Sequence, residues 1–262
     1  MGFALDGAGL KLEWANKKIE TIGEDWLEFR DSKPYALEAE HRKDTRDLIF
    51  KFRTSGLPPF LPVQIGELIH NLHSALDHLT WELVILETGA PSRSTQLQFP
   101  VFLDATGYVK RADQKLAGVG AKARAIIEEL QPFRTGEGAS SPLWMLYQLS
   151  VWDKHKSIPL VGMSADQIQI GPLPSQEIEE SEGCGSPVIL KDHTPIGRIR
   201  FKPGVQITKA ALMAMNAHVT YEVAFEEPEA VRGMEMMTVL NACGERVAQI
   251  LQRFSDECGA LK

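Results

Sequence analysis

Apolar residues recur at steps of three and four in some stretches of this chain and at every second position in others, so the pattern predicts both helices and strands. Leu12, Ala15, Ile19, Ile22, Trp26 and Phe29 share one stripe, which predicts a helix over residues 10–29 that Pro34 ends. Tyr35, Leu37 and Ala39, then Leu48, Phe50 and Phe52, alternate on either side of the polar Lys43-Asp44-Thr45-Arg46, the pattern of a β-hairpin over 35–53. Pro62 opens a second long helix over 63–87, closed by Thr88-Gly89-Ala90-Pro91. Short helices are expected near 105–116 and 121–130, and Ser141-Pro142 caps one that reaches about 156. Residues 158–227 read mostly as strand, with candidates at 196–201, at 205–208 and through the alternating Val219, Tyr221, Val223 and Phe225. Residues 171–186, which hold Glu177, Glu179, Glu180 and Glu182, read as a solvated mobile loop. Met236, Leu240, Cys243, Val247, Ile250 and Phe254 mark a last helix. The expected fold is α+β in one domain over 1–262. It combines a bundle of about four long helices, an N-terminal β-hairpin and an antiparallel sheet whose strand-rich part precedes the C-terminal helix.

Composition narrows the class. Of 262 residues, 44% are hydrophobic and 24% charged, a globular balance that excludes disorder as the main state. A net charge of −7 disfavours nucleic acid as the main partner, because phosphate binding needs a basic surface. Cys184, Cys243 and Cys258 form no C-x-x-C pair, so neither a zinc ribbon nor a thioredoxin-like site is written here, and a reducing compartment fits. Cys243, on the apolar stripe of the last helix, reads as inert packing. The N-terminus has no basic start followed by an apolar run, and no stretch approaches the ~18–20 apolar residues that span a bilayer. A soluble cytoplasmic protein with no membrane partner is expected. No G-x-S-x-G is present, and the glycines around 118–120 and 136–138 make no phosphate loop.

The helix over 63–87 has an unusual polar side. Leu68, Ile69, Leu72, Ala75, Leu76, Leu79 and Leu83 face one way, while Glu67, His70, Asn71, His73, Ser74, Asp77 and His78 face the other. That side has no Lys or Arg, although a solvated helix face ordinarily carries them. Buried polar groups need partners, and the helix over 142–156 offers some: it is apolar and aromatic until Asp153-Lys154-His155-Lys156. The cationic residues suit a helix C-terminus, but Asp153 does not. The two helices are therefore expected to pack together, with Asp77 or His73 within hydrogen-bond or one-water reach of Asp153 or His155.

Gly66-Glu67-x-x-His70-Asn71-Leu72-x-Ser74-Ala75-Leu76-Asp77-His78, Phe99-Pro100-Val101-Phe102 and Asp153-Lys154-His155 resemble a family of uncharacterised bacterial proteins. The resemblance covers most of the chain, with His73 and Lys156 standing where that family has Arg, and it implies no particular activity. The family's Arg-x4-His spacing is in turn similar to the HEPN helical-bundle ribonucleases, in which His moves a 2′-hydroxyl proton and Arg holds phosphate, commonly across a homodimer.

Three readings of the polar side follow. His70, His73, Asp77, Asp153 and His155 form a structural hydrogen-bond network, or part of a small-ligand cleft whose apolar wall comes from Trp81, Trp144 and Trp152. Alternatively those five residues ligate a divalent metal in a hydrolase, the one cofactor the residue types suit. The third reading is a HEPN-like, metal-independent ribonuclease with His73 in place of Arg, whose catalytic candidates are His73, Asp77, His78 and His155. Glu67, His70, Asn71 and Asp153 are the ligand-binding or structural members in each case.

Overall fold

The computed structural model describes residues 6–90, 96–164, 169–171, 175–183, 185, 188–206 and 216–259. The chain divides into two compact units, each assembled from separated segments: 1–24, 60–159 and 225–262 in the first, 25–59 and 160–224 in the second.

The first unit is helical. It holds most of α1 (Asp6–Asp31), then α2 (Leu61–Thr88), α3 (Ala105–Lys115), α4 (Ala121–Glu129), α5 (Pro132–Thr135), α6 (Pro142–Asp153) and α7 (Met236–Gly259). α2 packs against α6 and α7, and α6 against α7. The stripes read from the sequence are the faces that meet. Leu68, Ile69, Leu72, Ala75, Leu76, Leu79 and Leu83 of α2 are buried, as are Met236, Leu240, Cys243, Val247, Ile250 and Phe254 of α7. Gly89 ends α2 in the left-handed conformation (φ 70°), where it donates its N–H to the Ile85 carbonyl. Three helices are long, at 26, 28 and 24 residues for α1, α2 and α7, whereas α6 has 12. α6 stops at Asp153, short of the expected 156. His155 and Lys156 both donate their backbone N–H to the Trp152 carbonyl, a tightened last turn ahead of Pro159.

The second unit carries the sheets. β1 (Tyr35–Arg42) and β2 (Asp47–Thr54) form the expected hairpin, and β7 (Pro195–Phe201) and β5 (Ile178–Gly183) extend it in the order β1-β2-β7-β5. Each neighbouring pair in that sheet is antiparallel. β6 (Val188–Leu190), β3 (Leu160–Ser164) and β9 (Glu222–Phe225) make a second sheet, and β4 (Gln169–Gly171) pairs with β8 (Asn216–His218).

The acidic stretch is thus strand over 178–183 rather than loop. Arg198 on β7 meets Glu180 at 3.0 Å and Glu182 at 2.8 Å, so charges that look solvated along the chain are cross-strand partners. The strand expected at 205–208 is absent over its described part: Val205 closes a turn onto the Lys202 carbonyl, and residues 207–208 lie outside the described residues. The alternation at 219–225 yields strand only over β9. Tyr221 instead joins Trp26, Tyr35 and Phe52, with ring centroids 5.7, 5.2 and 5.3 Å away. Its ring also occupies the space above Gly162, where a Cβ would stand 2.9 Å from the hydroxyl.

Candidate functional site

Gly66 lies inside α2, where glycine costs about 0.5–1 kcal/mol relative to alanine, and the space it leaves is taken by a carboxylate. A Cβ at position 66 would come within 2.9 Å of the Asp153 carboxyl carbon, with Oδ1 closer still. Asp153 is the final residue of α6 and is half-buried. Burial raises its pKa above the ordinary carboxylate value, against the opposing pull of nearby His70. Among the described residues no group donates a hydrogen bond to it.

The carboxylate opens on a cleft of about 790 Å³ within the helical unit, of a size that suits a small organic ligand. α1 supplies Trp14 and Lys18, α2 supplies Val63, Glu67, His70 and Asn71, and Lys156 stands beyond Asp153. The Trp14 side is 54% exposed although it is one of the largest apolar surfaces in the chain. The surrounding cations are engaged. Lys18 meets Glu67 at 3.1 Å, Lys11 donates to Asn71 Oδ1 at 3.0 Å, and the Lys156 ammonium lies 4.8 Å from the centre of the Trp152 ring.

The remaining candidates lie elsewhere. His73 Nδ1 faces Asp77 Oδ2 at 3.4 Å, and Asp77 Oδ1 accepts the Phe99 backbone N–H at 2.9 Å. That bond explains the Phe99-Pro100 segment: it caps the polar side of α2 by its backbone. The His73 ring lies 6.5 Å from that of Tyr147 on α6. Lys115 is close enough to feel Asp77, although burial is the larger influence and lowers its pKa. His78 packs on Gly7 of α1, its Nδ1 2.7 Å from where a Cβ would stand. His155 is exposed beyond the end of α6.

The expected meeting of the two helices is therefore present with different partners. Asp153 sits over Gly66 beside His70. Asp77 follows Gly66 by eleven residues, about 16 Å along the axis at 1.5 Å per residue. Among the described residues no hydrogen bond or ion pair joins His73 or Asp77 to Asp153 or His155; Asp77 is held by the Phe99 amide instead. Among the described residues no three His, Cys, Asp or Glu side chains converge as metal ligands. The apolar wall is also different: Trp14 provides it, while Trp152 lies beneath Lys156 and donates its indole N–H to the Ser157 carbonyl at 3.2 Å.

Trp14 and Lys18 were the members hidden from the sequence reading. The available signal was that Trp14 falls off the buried stripe of α1, and that a glycine stands within a helix directly before the polar face. The fold and site together define an α+β protein with a ligand-sized cleft on its helical unit. Comparison with protein-family models, curated protein sequences and solved structures gives no match. No helix among the described residues is long and apolar enough to cross a membrane.

Proposed function

We propose that this protein binds a small organic molecule in the cleft between α1, α2 and α6, in a cytoplasmic setting. One observation carries the reading: a half-buried carboxylate, Asp153, lies over a glycine and has no hydrogen-bond donor among the described residues. A carboxylate partly withdrawn from water without a partner costs free energy, and a ligand donor would supply the missing bond. Trp14 and Val63 supply apolar surface beside it. The test is a screen of diverse small organic fragments against the isotope-labelled full chain, read by two-dimensional NMR. Binders should shift the Trp14 indole and Gly66 amide signals, and Gly66→Ala, which displaces the Asp153 carboxylate, should weaken them. Binders that leave both signals unmoved would overturn the assignment.

A second reading, metal-independent phosphodiester cleavage, has one observation in its favour. His73 Nδ1 lies 3.4 Å from Asp77 Oδ2, and Asp77 is itself fixed by a backbone amide, a proximity that suits proton transfer. RNA cleavage that survives a chelator and disappears in His73→Ala would support it; absence of cleavage by the native chain removes it.

A further inference from the structure

We propose that the ligand of the α1/α2/α6 cleft carries an amine, seated as an ammonium group between the Asp153 carboxylate and the Trp14 indole. This inference rests on the binding role proposed above and adds the chemical class. Its basis is a comparison of the charges that face the cleft. Lys18 of α1 is matched by Glu67 of α2 at 3.1 Å, and the Lys156 ammonium is placed on the Trp152 ring, 4.8 Å from its centroid. Lys11, at the neighbouring turn of α1, already donates to Asn71. Among the described residues, Asp153 and Lys156 are the two cleft charges without an oppositely charged partner; Lys156 is exposed, whereas Asp153 is half-buried, with His70 close enough to act on its charge. An anionic ligand would have to displace Glu67 to reach Lys18, or settle for the exposed Lys156, and either way would approach an uncompensated carboxylate. An ammonium meets that carboxylate directly, and its carbon substituent can lie on the exposed indole face, where cation–π attraction adds to apolar contact.

Proton linkage follows from the same groups. Acidification removes the charge on Asp153, whose burial already favours the neutral form. That change opposes a bound ammonium.

The experiment titrates the full chain with benzylamine, benzyl alcohol and phenylacetate, which share an aromatic body and differ in charge. The readouts are the Trp14 indole and Gly66 amide NMR signals. Benzylamine should bind at least tenfold tighter than either of the others at pH 7. That preference should collapse in Asp153→Asn, and in the native chain it should decline as pH is lowered, a readout that needs no variant. Equal binding of the three probes at these signals overturns the amine assignment while the cleft remains a binding site. Preferred binding of phenylacetate overturns it as well. If neither these probes nor the diverse fragments move the two signals, both the amine assignment and the binding role fall.

Discussion

Asp153 should cost the protein stability, a property expected of a residue kept for binding rather than for packing. Its folded pKa lies above its ordinary value, so folding favours the protonated form. The sign is that its contribution is most favourable below the ordinary value of about 3.9 and is lost as pH rises through the raised folded value. Asp153→Asn should therefore raise the melting temperature at pH 7 by about 1–3 °C, and the gain should vanish near pH 3. A melting temperature at pH 7 that is unchanged or lower would contradict the placement of this carboxylate. Cys243 is a different kind of residue. It is fully buried in α7, and burial pushes its thiol to about 12. Iodoacetamide should leave Cys243 unmodified in the native protein and alkylate it only after denaturation, as peptide mass spectrometry would show.

At the scale of elements, α2 and the four-stranded sheet depend on opposite kinds of interaction. Leu72 and Leu76 are buried between α2 and its neighbours, at 0% and 1% exposure. Leu72→Asp or Leu76→Asp places an unpaired charge there and should destabilise the helical unit by more than about 4 kcal/mol. A thermal melt within two or so degrees of the native chain would mean that this face has been misassigned. In the sheet, Asp47 at the start of β2 is held by Arg200 at 2.8 Å, with Arg198 at 3.5 Å. The Arg200 hydrogen bonds depress the carboxyl pKa to about 2. This contribution is fully present above the ordinary value near 3.9 and is lost as pH falls through about 2. Asp47→Asn should accordingly lower stability at pH 7 and make the remaining stability less sensitive to acid between pH 4 and pH 2. An acid-unfolding curve identical to the native one would count against the pairing.

Across the whole molecule, the helices were legible because their signal is local: each buried stripe repeats within a few residues of chain. The β1–β2 hairpin was legible for the same reason. The partners of the acidic stretch were not, since Glu180 and Glu182 find Arg198 only through strand pairing between separated segments. The site was half legible. His70, Asn71, Glu67 and Asp153 stand out as residue types, yet which of the polar groups on α2 meets Asp153 is set by where Gly66 allows a close approach and by the Phe99 amide already occupying Asp77. The units themselves should respond separately to deletion. Replacing 160–224 by a short linker removes β7 and β5 and leaves β2 paired with β1 alone, so amide exchange in β1 and β2 should become fast while α2 and α7 remain slow. Protected hairpin amides in that variant would show that the hairpin needs no neighbour.

The pairing of β2 with β7 joins Phe50 to Gly197. Because synthesis runs from the N-terminus, β2 leaves the ribosome with one edge unpaired, and its partner arrives about 150 residues later. At about 5–20 residues per second, that wait is roughly 7–30 s. Throughout it, a strand bearing Leu48, Phe50 and Phe52 presents open backbone donors and acceptors, a template for pairing with another nascent chain. The vulnerability of this protein to misassembly thus belongs to the interval of its translation, and slowing elongation between the codons for residues 54 and 195 would lengthen it.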